Sequence, residues 1–319
     1  MTYFWFLAHF LSHDGGMRAF LAGAIFAVAA LPCLGQVATG SNRLVLEAFE
    51  NGSGPSLVML GGGTRGADEF IPHATVLAGS YRTIRLQTLN ISRSRQKEPL
   101  PTGYSLETEV DAVDETLNRI GLPFPVDFVG HSFGALIALE FALQHPEKVR
   151  TLTLAEPPAF WVVPKEELNS TPDMREMYEM LLTLGSEVEP TDDQWIRFRC
   201  LLGECGLKKP EVGEEGWKEW MTRRAALRGL SAIAQLHGDM NRLRNFRKPV
   251  LIVTGKNTAA FHRRINDILA AQCPVVERLE LPGTHAAVVT AQDEFLNGLR
   301  SFLDRHRQGL ALARPASSW

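Results

Sequence analysis

Apolar residues along this chain fall into two kinds of run. Residues 56–60, 126–129, 149–154 and 250–253 are short and mostly apolar, the pattern of strands buried on both faces of a sheet. Residues 81–87 and 275–281 add two further strand candidates. Residues 43–49 alternate in part and then meet Glu50-Asn51-Gly52-Ser53-Gly54-Pro55, so a strand and a turn are expected there. The second kind of run is helical. Residues 106–120 place Val110, Val113, Leu117 and Ile120 at three- and four-residue spacing and stop at Gly121. An alanine- and leucine-rich segment follows Ser132 and closes at His145-Pro146, and residues 261–271 and 291–305 are further helix candidates. Residues 91–103 are polar, basic and proline-bearing, and read as a loop. Strands alternating with helices in this way imply an α/β fold, a mostly parallel doubly wound sheet with helices on both faces and right-handed crossovers.

Between residues 159 and 246 the alternation stops. Helix-like pieces at 173–184, 191–202, 217–228 and 230–240 follow one another without a strand. The block carries Trp161, Trp195, Trp217 and Trp220, four of the six tryptophans, which read as core and receive no ligand role. It is expected to form a helical cap over a core made of residues 41–158 and 247–307, with a flexible tail at 308–319.

Composition narrows the picture without redirecting it. The 319 residues are 45% hydrophobic and 22% charged, enough for one large domain with an insertion, and the net charge of −3 gives no basic footprint for nucleic acid. The cysteines Cys33, Cys200, Cys205 and Cys273 lack zinc-ligand spacing. Cys200 and Cys205 read as two buried thiols, with a disulfide as the alternative in an exported chain. Residues 19–34 form an apolar run after Met17-Arg18, short for a membrane span and suited to a signal-peptide core. A separate aromatic segment at 3–11 precedes it, so Met17 is an alternative start. Residues 1–40 are therefore taken as a signal-like or disordered leader, implying export or membrane association, with a cytoplasmic location as the other reading.

The candidate chemistry centres on Gly130-His131-Ser132-Phe133-Gly134, a Gly-x-Ser-x-Gly run between a strand and a helix candidate. Such a sharp turn holds Ser132 at its tip in strained backbone, and the flanking glycines let neighbouring backbone pass close by. The helix N-terminus beyond it favours developing negative charge. Gly61-Gly62-Gly63-Thr64-Arg65-Gly66 has one register of a dinucleotide loop, but the next strand ends in Gln87 and Thr88 with no acidic ribose partner. The loop reads instead as bare backbone approaching a substrate oxygen, and no cofactor or metal is expected. In a parallel sheet reactive residues gather at the carboxyl ends of strands. Ser132, Glu156 and His285 all fall there, in the order nucleophile, acid, base. His131 is a rival base, although adjacent side chains on a sharp turn diverge, and His73, His145 and His237 read as structural. The basic residues Arg65, Arg85, Arg93 and Arg95 read as a solvated face, with an anionic substrate as the alternative.

With these residues in place, the region from about 43 to 305 resembles the α/β-hydrolase superfamily. The resemblance rests on the Gly130 to Gly134 turn, the Gly61 to Gly63 loop and Leu281-Pro282-Gly283-Thr284-His285. It implies catalysis by Ser132 with His285 as base and an oxyanion hole from the backbone N–H groups of Phe133 and Gly63. Two departures stand out. Many members carry His-Gly where this chain has Gly61-Gly62, so the loop lacks its usual polar anchor. The acid usually follows the strand at 250–253, yet residues 255–261 contain no carboxylate. Some members place the acid one strand earlier, where Glu156 lies. Asn257 as a neutral orienter, or a dyad without an acid, are the alternatives. The implied activity is serine hydrolysis of an ester or related acyl bond in a small-molecule substrate, through an acyl-enzyme. A cofactor-free perhydrolase or acyltransferase, or a non-catalytic binding member, are the rival readings. The sequence specifies neither the acyl group nor an oligomeric state.

Overall fold

A computed structural model describes residues 44–185 and 188–312, with the side chains of 308–312 outside the description. The strands are β1 (Glu47–Asn51), β2 (Ser56–Leu60), β3 (Arg82–Gln87), β4 (Val126–His131), β5 (Val149–Ala155), β6 (Val250–Gly255) and β7 (Val276–Leu281). Among the described residues they form one sheet in the order β1-β3-β2-β4-β5-β6-β7. Only β1 runs antiparallel, against β3, and every other pairing is parallel.

Alternation along each strand feeds two separate cores. Leu57, Met59, Val129, Leu251 and Val253 enter one, and Val58, Leu60, Phe128, Leu152 and Ile252 enter the other. Both faces are thus covered, which is why these strands read as continuous apolar runs. Helices α1 (Ile71–Leu77), α12 (Ala287–Thr290) and α13 (Gln292–Leu312) serve the first core. The second holds α3 (Leu106–Ile120), α4 (Phe133–Gln144) and α11 (Ala260–Gln272). Helix α3 has the expected amphipathic register, begins with a Ser105 capping box and ends with Gly121 in the left-handed region. Helix α4 is apolar on every side and buried from Phe133 to Leu143, as its central position requires.

Several sequence expectations shift. The first strand begins at Glu47, not residue 43, and continues to Asn51 because the turn is carried by Gly52 and Gly54 at φ 76° and 110°. The segment expected as a loop contains α2 (Leu89–Gln96). Its free N-terminal N–H groups are met by a residue remote in sequence: the buried Glu109 carboxylate accepts from the Leu89 and Asn90 N–H groups at 3.0 and 3.1 Å. The helix expected at 230–240 is two, α9 (Ser231–Gln235) and α10 (Met240–Asn245). Gly238 packs against the Trp161 ring between them, and Asp239 caps the second. The remaining inserted helices are α5 (Lys165–Ser170), α6 (Pro172–Thr183), α7 (Asp192–Leu201) and α8 (Trp217–Ala226). Cys200 and Cys205 are joined in a disulfide rather than buried as two thiols, Cys200 being half-buried and Cys205 exposed. Helix α13 runs to Leu312, into the segment expected as tail. Among the described residues no helix is long and apolar enough to cross a membrane, and the leader at 1–40 lies outside them.

Candidate active site

Chain order reverses between β2 and β4, and the loops leaving β2, β4, β5, β6 and β7 at their carboxyl ends converge there. Ser132 sits on the turn from β4 into α4 with φ 52° and ψ −123°, a conformation that costs a non-glycine residue about 1–3 kcal/mol. The turn is over-determined by its neighbours. The Ser132 N–H donates to the Ala155 carbonyl at 2.8 Å, and the Ser132 carbonyl accepts from Ala135 and Leu136. A Cβ on Gly130 would run into the Ala135 backbone, and one on Gly134 into the carbonyls of Leu60 and Gly61. Both flanking glycines are therefore sterically required.

Glu156 directly follows β5 and also has positive φ, 49°. Its carboxylate is buried and accepts three hydrogen bonds: from Gly255 N–H at 2.8 Å, the Thr258 hydroxyl at 2.8 Å and His285 Nδ1 at 2.7 Å. The loop after β6, which lacks an acid, thus supplies donors to Glu156 from one strand earlier. The Asn257 side chain makes no hydrogen bond to His285. Burial works to raise the Glu156 pKa, but the hydrogen bond and charge of His285, with help from His262 and Gly255, outweigh it and hold the group at about 2. His285 is lowered because burial outweighs the upward pull of that same carboxylate. An ionised Glu156 beside a neutral imidazole fixes the proton on Nδ1 and leaves Nε2 free to accept one.

His131 proves to be committed elsewhere. Its Nδ1 lies 2.5 Å from Glu69 Oε1, and its Nε2 donates to the His285 carbonyl at 2.9 Å. Both partners accept, so both ring nitrogens carry protons. Burial alone would lower the His131 pKa, but the charge and hydrogen bond of Glu69 raise it. Burial would likewise raise Glu69, yet His131 and the Gly62 N–H lower it. The pair is a buried ion pair with no lone pair available for a base. It also meets a need noted above, because Glu69 accepts the Gly62 N–H at 3.2 Å and so anchors the glycine loop. Asn90 completes that anchor by donating from Nδ2 to the Gly63 carbonyl at 2.7 Å and to the Ala226 carbonyl at 3.1 Å.

Gly63 and Phe133 face each other across the turn: a Cβ on Gly63 would stand 3.0 Å from the Phe133 Cβ and 2.5 Å from Leu230 Cδ2. Ser132, His285, Gly63, Phe133 and His262 line one cavity of about 280 Å³. The inserted segment contributes the apolar side chains Met177, Leu181, Phe198, Leu202 and Ile233, together with Arg199 and Glu204. His262 is buried with neither ring nitrogen hydrogen-bonded, and its ring stacks on that of His285 with centroids 4.3 Å apart and planes at 19°. The donor atoms of Glu156, His262 and His285 lie within 4.8 Å of one another. Lone pairs of nearly parallel stacked rings lie in planes that do not meet close by, so these two histidines cannot point at one ion. His73 is structural, its Nε2 donating to the Val288 carbonyl at 2.7 Å. Of the four arginines read as a solvated face, Arg85 is buried and donates to the Ala67 carbonyl at 3.0 Å, Arg93 and Arg95 pair with Glu98 and Asp68, and Arg65 lines the cavity.

Comparison with known proteins agrees with this architecture. Residues 55–184 match the α/β hydrolase fold family. The chain is 26% identical over 267 residues to the uncharacterized hydrolase YraK of Bacillus subtilis, covering 81% of this chain and 92% of that protein. It is 25% identical over 271 residues to a pimeloyl-[acyl-carrier protein] methyl ester esterase of Shewanella woodyi, covering 83% and 99%. Among solved structures, a non-heme bromoperoxidase-named protein of Mycobacterium tuberculosis, BpoC, superposes with a TM-score of 0.60 at 18% identity over 83% of this chain and 98% of that one. The mostly parallel seven-stranded sheet with helices on both faces is that of the α/β-hydrolase fold. The chain has the α/β-hydrolase fold, residues 55–184 match that family, and the relatives it resembles are named as hydrolases and esterases, in keeping with an enzyme of this fold.

Proposed function

We propose that the protein is a serine hydrolase that cleaves an ester or related acyl bond through an acyl-enzyme. In this reading His285 Nε2 removes the Ser132 proton, the alkoxide attacks the acyl carbonyl, and Glu156 stabilises the imidazolium. The N–H groups of Phe133 and Gly63 receive the oxyanion, each worth about 3 kcal/mol of transition-state stabilisation. The protonated His285 then returns its proton to the leaving alcohol, and water repeats the sequence on the acyl-enzyme. The inserted helices over residues 159–246 act as a cap that excludes water and shapes the acyl site.

The observation that carries this reading is the 2.7 Å bond from His285 Nδ1 to a buried, fully hydrogen-bonded Glu156, beside a strained serine in the same cavity. It supports a catalytic reading over a binding one, because Glu156 offers a carboxylate where the loop after β6 has none. The esterase among the relatives supports an acyl ester as the substrate class. A cavity of about 280 Å³ suits a short acyl chain. A fluorophosphonate probe is expected to label Ser132, and Ser132→Ala to abolish turnover of short p-nitrophenyl esters. Undiminished turnover in that variant would overturn the mechanism, and transfer to an added alcohol or peroxide in preference to water would reassign it to acyl transfer.

A further inference from the structure

Charge is distributed unevenly around the cavity that holds Ser132. Two guanidinium groups reach it, Arg65 and Arg199. Arg199 pairs with Glu204 and lies over the Trp195 ring, 5.1 Å from its centroid. Arg65 has no hydrogen bond or ion pair from its side chain among the described residues. It also lines a second cavity of about 470 Å³, which shares Thr64, Arg65, Glu69 and Val289 with the first. The other charges of this second cavity largely cancel. Arg95 pairs with Asp68, Arg223 with Glu219, and Glu69 is taken by His131. Two cations remain without a salt bridge among the described residues: Arg65 at the junction, whose charge acts on Glu69 while Glu69 itself pairs with His131, and the exposed Lys218 further out.

The surplus is felt by the neighbours. Burial, and after it the charges of Arg223 and Arg65, push the Arg199 pKa down to about 10. Burial and Arg65 lower Arg223 in the same way. A ligand carrying negative charge would relieve this repulsion, whereas a neutral one would leave it in place. The position is also suited to substrate. Arg65 follows Gly63 by two residues in a loop folded back on itself, with Arg65 N–H and Gly66 N–H both donating to the Gly62 carbonyl at 3.0 and 2.7 Å. The inserted helices also give the inner cavity the apolar side chains Met177, Leu181, Phe198, Leu202 and Ile233 beside the paired Arg199 and Glu204, and these suit the hydrocarbon part of the same molecule.

We propose that the substrate is an acyl ester bearing a carboxylate, whose negative charge is received by Arg65 where the two cavities join, with Lys218 attracting it from the outer side. This rests on the serine-hydrolase reading above. Arginine presents paired donors to a carboxylate, and a charge-assisted contact of this kind changes affinity about tenfold or more.

The test compares p-nitrophenyl hydrogen adipate with p-nitrophenyl hexanoate, which differ chiefly in the terminal carboxylate, and adds an ester with the carboxylate on its alcohol side. The expected result is a kcat/KM ratio of at least about tenfold in favour of one of the charged esters. Added salt should shrink the ratio, Arg65→Gln should largely remove it, and Arg65→Lys should keep part of it. A ratio near one in the wild type, or one unchanged by Arg65→Gln, overturns the proposal. Which charged ester is preferred tells whether the carboxylate belongs to the acyl or the alcohol part. Calorimetric binding of monomethyl adipate and methyl hexanoate to Ser132→Ala reads the same preference without chemistry. Failure of the serine mechanism appears instead as turnover surviving in Ser132→Ala, so the two failures are distinguishable. Should Arg65→Gln fold poorly, Lys218→Gln, at an exposed position, must lower the salt sensitivity of the ratio, and no change there counts against the proposal.

Discussion

The carboxylate of Glu69 lies 2.5 Å from Nδ1 of His131 and also accepts the N–H of Gly62. His131 in turn donates to the backbone carbonyl of His285. One buried ion pair therefore holds both the glycine loop and the loop that carries His285. Glu69→Gln keeps the shape but weakens both links. It is expected to lower kcat by about ten- to a hundredfold with a smaller change in KM, because a displaced oxyanion donor or base is felt mainly in the transition state. Steady-state kinetics on a p-nitrophenyl ester check this, and an unchanged kcat would show that the pair is structural only.

The same pair gives a pH signature in stability. Glu69 is held below its ordinary 4.5, so its contribution is present above that value and is lost as the pH falls through the lower folded pKa. His131 is raised above its ordinary 6.5, so its contribution is complete below 6.5 and is lost as the pH rises through the higher folded pKa. Between 4.5 and 6.5 both are in place. The difference in Tm between the wild type and Glu69→Gln should be largest in that window and narrow on either side. A difference independent of pH would remove the ion pair from the account.

Glu156 offers a sharper test of the third partner of Ser132. In Glu156→Gln the amide can no longer enforce a proton on Nδ1, and the wrong tautomer of His285 is expected to reduce kcat by up to about 10⁴. A loss below about tenfold would place the acid elsewhere. In the wild type the acid limb of the kcat/KM profile should have its midpoint below 6.5, since burial lowers His285. A midpoint above that value would mean that the charge of Glu156 prevails over burial.

What the sequence disclosed and what it concealed divide along the range of the interactions. The buried strands, the amphipathic α3 and the serine turn are encoded locally, by apolar runs, spacing and two glycines, and they stand where expected. Glu156 could be named only by its place at a strand end, and the donors that hold it, Gly255 and Thr258, come from about a hundred residues away. Helix α2 was hidden because its N–H groups are capped by Glu109 across the fold. Glu69 carries no motif of its own. The signal that points to it is indirect: a histidine beside the serine, buried by the turn, requires a partner. His262 lies on the core helix α11 and Arg199 on the inserted helix α7, and the register of each toward the cavity depends on packing that no local pattern specifies.

Asn90 carries the same logic to the opposite side of the glycine loop. Its Nδ2 donates to the Gly63 carbonyl and to the Ala226 carbonyl at the end of α8, while the Thr88 hydroxyl donates to its Oδ1 at 2.7 Å. One amide thus ties the candidate oxyanion loop to the inserted helices. Asn90→Ala would take from the Gly63 carbonyl and the Thr88 hydroxyl the partner that Asn90 supplies, and from the Ala226 carbonyl the second of its two bonds, with a cost of about 1–3 kcal/mol for each group left dry and unpaired. The Gly63 peptide would also be free to rotate, and its N–H would lose its aim. The expected outcome is a Tm lowered by several degrees together with a fall in kcat of about tenfold or more, and Asn90→Asp should not rescue it, because a carboxylate cannot donate to either carbonyl. Thermal melts beside steady-state kinetics check both parts, and a variant that is destabilised but retains full kcat would confine Asn90 to folding and free the loop's geometry from it.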